Sequence, residues 1–286
     1  MNGFLAEVGK KLAERWLALL ALPGLLYLAT AAVAITLGHG HALDAARLGD
    51  RITAWSASGP LRSVGGAALI MLAALLASVA AGLLASGLAV LIELAWTTPG
   101  RRRPARWLTD LRRHRSRTAK ARADNATTQI ALVRAIAAAD RICLLEADRP
   151  TWLADRLRVT RLRMAAAYDL DLDTAWPRLW LLIPIETRQE LAAARDALGS
   201  LFRLSAWSLL YLPLAIWWWP AIPIAAALHG TAVLRVRPAA TNLADLVEAT
   251  VDLHIIELSE RLSVQLPDLT TRLSKSRWDP RSKLAD

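Results

Sequence analysis

Cysteine is almost absent from this chain: Cys143 is the only one in 286 residues, which excludes an internal disulfide. Reaction-committing motifs are missing as well. There is no phosphate-binding Gly-rich loop, no metalloprotease helix, no Cys-x-x-Cys pair and no Gly-x-Ser-x-Gly elbow. A non-enzymatic protein is therefore expected, with no catalytic, cofactor-binding or metal-ligating residue assigned. Strand-like alternation of useful length is lacking too, which points to an all-α fold. Charge, finally, is nearly absent from Trp16–Leu37 and Val64–Trp96.

Those uncharged windows are the chain's main signal. A hydrocarbon core about 30 Å thick needs roughly 20 apolar helical residues to cross it. A third apolar block, Leu204–Val236, is interrupted by Pro213, Pro220 and Pro223. With 55% apolar residues and positive mean hydropathy, the composition is that of a polytopic membrane protein. Lys10, Lys11 and Arg15 precede the first run, and Ala32-Val33-Ala34 has the small-x-small pattern of a cleavage site. The run is nevertheless longer than a signal core of about 7–15 residues, so an uncleaved span is expected.

The predicted order is a lead at 1–15, transmembrane helix 1 at 16–37 and an external loop at 38–63 with a short helix near Leu43–Trp55. A long transmembrane helix 2 follows at 64–96, then a basic helical cytoplasmic domain at 97–200. Transmembrane helix 3 is predicted at 201–219, and a short fourth span or re-entrant segment at 220–236. A cytoplasmic amphipathic helix at 237–266 and a loose tail at 267–286 complete the chain. The net charge of +10 invites a nucleic-acid reading, but the cations cluster beside the spans. Arg101, Arg102, Arg103, Arg106, Arg112, Arg113, Arg115, Arg117, Lys120 and Arg122 follow Trp96, whereas 38–63 holds only Arg47, Arg51 and Arg62 against Asp44 and Asp50. Positive charge resists translocation, so both termini and the middle domain are expected in the cytoplasm of a plasma (cytoplasmic) membrane protein, with nucleic acid an unfavoured partner.

Within the cytoplasmic part, Ile130, Val133, Ile136, Cys143 and Leu144 form a helical stripe. Thr151 caps a second helix, with Leu153, Leu157, Thr160 and Met164 on its inner side up to Tyr168. A Trp-rich piece ends at Pro184, and Glu186–Gly199 forms a further helix. Beyond Pro238, Thr241 or Asn242 is expected to cap a helix whose apolar face holds Leu243, Leu246, Val247, Thr250, Leu253 and Ile256.

Three motifs, Tyr168-Asp169-Leu170-Asp171, Trp176-Pro177-Arg178-Leu179-Trp180 with Pro184 and Arg188, and Leu246-Val247 with Asp252-Leu253-His254, cover the carboxy-terminal half. On these residues the chain resembles a family of uncharacterised bacterial, especially actinobacterial, multi-span membrane proteins. The resemblance implies four spans and a cytoplasmic domain, and it implies no activity. Asp169 stands where that family commonly has glycine.

Several constellations invite function. Ala74, Ser78, Gly82 and Ser86 fall on one face of the second span, a small-residue seam for helix packing or homo-oligomerisation. Glu93 and His229 are the ionisable groups closest to membrane depth and mark a possible ion path. Trp176, Arg178 and Trp180 are residue types that dominate binding hot spots, although a structural plug is favoured for this block. His39, His41 and Asp44 are too few to make a convincing metal site, and Glu248, Asp252, His254 and Glu257 read as a solvated helix side. The favoured function is a scaffold or signal relay that recruits a soluble cytoplasmic protein. A homo-oligomeric ion channel or pore is the alternative, and a membrane-bound enzyme the least favoured.

Overall fold

The computed structural model describes residues 7, 10, 21–57, 63–97, 103–124, 128, 151–168 and 171–262. The predicted lead at 1–15 (apart from residues 7 and 10), the stripe at 130–147, Asp169 and the tail at 267–286 lie outside them. Among the described residues the protein is all-helical, with eight α-helices, one 3₁₀ turn and no strand. The helices are α1 (Leu22–Leu37), α2 (Ala45–Ser56), α3 (Val64–Thr97), α4 (Arg103–Asp124), α5 (Trp152–Tyr168), α6 (Leu172–Leu182), α7 (Ile185–Tyr211) and α8 (Ala221–Leu262). Two helical stretches, Val64–Thr97 and Ile185–Ile216, are long and apolar enough to cross a membrane, while Leu22–Leu37 is a shorter apolar helix.

The chain forms two compact units. Residues Met1–Ile92 and Ser200–Leu234 make the first, and Glu93–Gly199 with Arg235–Asp286 the second. Helices α3, α7 and α8 have residues in both.

In the first unit, local chemistry sets the helix ends. Pro23 lies in the first turn of α1, where its missing N–H is no loss. Gly38, at φ 62°, ends that helix by donating its N–H to the Ala34 carbonyl; the left-handed conformation favours glycine there. Asp44 caps α2 by accepting from the Arg47 amide at 3.0 Å. Helix α1 meets α3 very closely: a Cβ on Gly24 would lie 2.2 Å from the Ser78 carbonyl oxygen. The Ser78 hydroxyl donates to the Ala21 carbonyl at 2.5 Å. Small residues allow this approach, and such packing holds helices together where water is not the driving force. A core cluster in this unit gathers Tyr211, Leu214, Ala221 and Ala225, with Tyr27 and Trp218 packed partly against it. Tyr27 meets Tyr211 edge-on at 5.5 Å, and the Trp218 indole donates to the Ala42 carbonyl at 2.8 Å.

The outward side of α3 is apolar. Leu69, Met71, Leu72, Leu76, Leu84, Val90 and Leu91 are all exposed, while Ser78, Ala81, Gly82, Ala85 and Ala89 are buried. Ser78 and Gly82 of the expected seam thus fall on the buried side, joined by Ala81, Ala85 and Ala89, whereas Ala74 and Ser86 are half-buried at its edge.

Helix boundaries in the last third differ from expectation. Ile185–Tyr211 is one helix, where a helix at 186–199 and a separate span from 201 were expected; no glycine turn or proline divides it, and Gly199 has open space around it. The turn falls at the 3₁₀ segment Leu212–Ile216, with Pro213 in its first turn. Ala221–Leu262 also runs unbroken through Pro238. Proline removes one backbone hydrogen bond and crowds the preceding turn, but Val236 and Ala240 are buried on either side of it, and that packing keeps the helix continuous.

Candidate functional site

The second unit has an apolar core of Met164, Tyr168, Leu172, Ala175, Leu179, Ile183, Leu191, Val251, Ile255 and Leu258, with Trp176 and Trp180 packed partly against it. Its elements are tied at their ends. The Thr151 hydroxyl accepts from the Ala154 amide at 3.2 Å, capping α5, and donates to the Trp96 carbonyl at the end of α3. Asp171 caps α6 by accepting from the Asp173 amide at 3.3 Å and the Thr174 hydroxyl at 2.5 Å. The Thr174 hydrogen bond is the main reason its carboxyl sits below the usual range. Arg188 of α7 donates from Nε to the Ile183 carbonyl at 2.9 Å and from Nη2 to that of Leu181 at 3.3 Å, so it satisfies the carbonyl end of α6.

A buried charge network braces this core. Glu248 of α8 is 6% exposed and Arg156 of α5 is 8% exposed. The Glu248 carboxylate accepts from Arg156 at 3.1 Å, from the Thr160 hydroxyl at 2.9 Å and from Arg163 at 2.5 Å. Arg156 also donates to Asp245 at 2.5 Å. On the other side of α5, buried Asp155 accepts from Arg112 of α4 at 2.7 Å. Further along, the Tyr168 hydroxyl donates to Asp252 at 2.7 Å. Burial first, then that hydrogen bond, push the Tyr168 phenol up to about 12. Glu248 and Arg156 therefore each have several partners and Asp155 has an opposite charge, the condition under which charge is tolerated inside a protein.

Against this frame lies a cleft of about 370 Å³, lined by residues of α5 (Leu157, Thr160, Arg161), α6 (Leu172, Asp173, Trp176, Pro177), α7 (Arg195) and α8 (Leu243, Ala244, Val247). Its walls are mostly apolar, with a few polar groups that would orient an occupant. Arg161 faces Asp173 at 3.4 Å, and Arg195 is paired with Glu93.

The expected sites distribute as follows. Trp176 lines the cleft, and Trp180 is 6.0 Å from it, ring to ring. The Arg188 guanidinium sits over Trp180 at 6.0 Å. Arg178 is exposed and donates to the Thr174 carbonyl at 3.1 Å. Glu93 belongs to the second unit and is paired there with Arg195. His229 is an exposed residue of the first unit. His39 Nε2 lies 2.9 Å from the Ile216 carbonyl, and Asp44 serves as the α2 cap. Among the described residues no group of three His, Cys, Asp or Glu converges.

Two readings are corrected. Glu248 is not on a solvated side; the buried residues of this part of α8 are Leu243, Ala244, Glu248, Thr250, Val251, Ile255 and Leu258, so Leu243 and Thr250 of the expected face are buried whereas Leu253 is 78% and Ile256 53% exposed. Reading the face by apolarity alone steered it away from Glu248 and so rotated it. Asp155 and Arg156 were likewise overlooked in α5. The available signal was complementarity: Arg156 and Arg163 on α5 share a side with Thr160, and Asp245, Glu248 and Asp252 recur on α8 at helical spacing.

Comparison with family models, with curated proteins and with solved structures yields no match.

Proposed function

We propose that this chain is a non-enzymatic integral membrane protein of a bacterial cytoplasmic membrane, with four spans and a cytoplasmic second unit that acts as scaffold or signal relay. The outward leucines of α3 support the membrane part, because contiguous exposed apolar surface needs a nonpolar surrounding. The arginine excess after Trp96 favours a cytoplasmic second unit. The observation that carries the relay reading is the cleft beside Trp176, set in a core that Arg156, Glu248 and Asp155 hold rigid. Rigid walls keep a recognition surface preorganised, and a Trp beside an apolar slot is a common anchor for a partner side chain.

Two experiments test the halves separately. With Cys143→Ser as background, His41→Cys is expected to react with an impermeant thiol reagent in intact cells and Thr118→Cys only after permeabilisation. The reverse pattern would overturn the orientation. A photo-crosslinking residue in place of Pro177 is expected to give a discrete adduct with a soluble protein, abolished by Trp176→Ala. Adducts to lipid alone, or none, would refute recruitment at the cleft.

A further inference from the structure

Helix α4 carries eight Arg and Lys residues against Asp110 and Asp124, far more charge than the recruitment reading uses. Its packed side is defined by Thr109 and Ser116, both buried, and by Arg112 in its ion pair with Asp155. These positions lie at i, i+3 and i+7, on one face of a helix. Trp107, His114, Arg115 and Thr118 are all exposed, and Trp107 is 68% exposed. At 100° per residue, Trp107, His114 and Thr118 fall opposite the packed side, with Arg115 and the exposed Arg117 on its two flanks. An exposed indole on the same outward side of a helix as exposed guanidinium groups suits the headgroup layer: the ring partitions to the interface and the cations meet acidic lipid.

Distance supports the same placement. Helix α3 ends at Thr97 and α4 begins at Arg103, so even a fully extended connection separates them by about 20 Å at most. Trp107 is only about 6 Å further along the helix. The outward face of α4 therefore starts within a short reach of the end of an apolar helix long enough to span a bilayer.

We infer that the outward face of α4 binds the acidic phospholipid headgroups of the leaflet at the α3 exit, clamping the second unit to the membrane surface. The inference rests on the membrane reading above and adds the lipid class and the contact face. Charge complementarity selects this occupant, because zwitterionic lipid offers no net attraction to the arginines.

The test uses the full chain with Cys143→Ser and Thr118→Cys, labelled with an environment-sensitive fluorophore. The protein is reconstituted into vesicles of phosphatidylcholine alone or enriched in phosphatidylglycerol. Acidic vesicles are expected to blue-shift the emission and lower its quenching by a water-soluble quencher several-fold. High salt should reverse the shift, since screening shortens from about 10 Å at 0.1 M to about 3 Å at 1 M. The pair R115E and R117E is expected to abolish the shift, and the milder R115Q and R117Q pair to reduce it. If the charge-reversed chain fails to incorporate, the neutral pair and the salt titration still decide. Equal emission in both vesicles would overturn the proposal. So would a salt-sensitive shift produced by duplex DNA in detergent and not by acidic vesicles, which would make the face a nucleic-acid surface. Release of the chain from both vesicle types by alkaline carbonate would instead sink the membrane reading, and the proposal with it.

Discussion

Replacing Glu248 with Gln tests the charge frame of the second unit directly. The wild-type carboxylate takes hydrogen bonds from Arg156, Thr160 and Arg163 at 2.5–3.1 Å. Gln preserves the shape but removes the charge, leaving two guanidinium groups facing a neutral amide whose NH₂ repels them. Arg156 keeps Asp245 and Arg163 is partly solvated, so the loss belongs at the lower end of the range for breaking a buried pair, about 3–5 kcal/mol. At roughly 2–4 °C per kcal/mol for a unit of this size, the detergent-solubilised protein should lose about 6–12 °C in its unfolding midpoint, read by differential scanning fluorimetry. The companion experiment is a double-mutant cycle. Glu248→Met and Arg156→Met should each destabilise strongly, while the double variant recovers much of the loss because the charges that then lose a partner, Arg163 and Asp245, are partly solvated. Single variants costing less than about 1 kcal/mol, or strictly additive effects, would refute the view that the network is a closed, mutually dependent unit.

Other perturbations probe the remaining contacts. Gly24→Val forces a branched side chain against the Ser78 carbonyl and should lower stability by at least the 1–3 kcal/mol typical of overpacking, checked as reduced yield of folded protein on size-exclusion chromatography; wild-type behaviour would discount the close α1–α3 approach. Tyr168 has its pKa raised above the unfolded value of 10.0 to about 12. Its contribution is therefore full below pH 10 and lost as pH rises through 12, so Tyr168→Phe should be less stable at neutral pH yet show a flatter alkaline decline in unfolding midpoint. Glu93→Gln frees Arg195 at the cleft rim from its partner. The pair is partly solvated, so stability should change by less than about 1 kcal/mol, and ion flux into liposomes should be the same as for wild type; an altered flux would revive Glu93 as part of an ion path.

The all-helical class was legible in the sequence because the 3.6-residue rhythm of apolar positions needs no partner to be seen. Thr151 before α5 was likewise in plain view, since a cap acts on its own helix; Asp44 before α2 follows the same rule but in sequence stands out only as a charge and a weak metal candidate. The packed charges were hidden for the opposite reason. Glu248 is unremarkable until α5 brings Arg156, Thr160 and Arg163 against it, and those residues stand more than eighty positions away. Pro238 misled in the same way: its local rule says break, and the buried residues on either side of it say continue. The small residues of α3 show how one pattern admits two outcomes. Their spacing announces a close helix neighbour without naming it, and Gly24 answers from within the chain by leaving room for the Ser78 carbonyl where a Cβ would clash. Pairing is thus the information that periodicity omits. A candidate site assembled from α5, α6, α7 and α8 is a product of pairing, and the cleft was visible in sequence only as the Trp176–Trp180 block, without the three other helices that complete its walls.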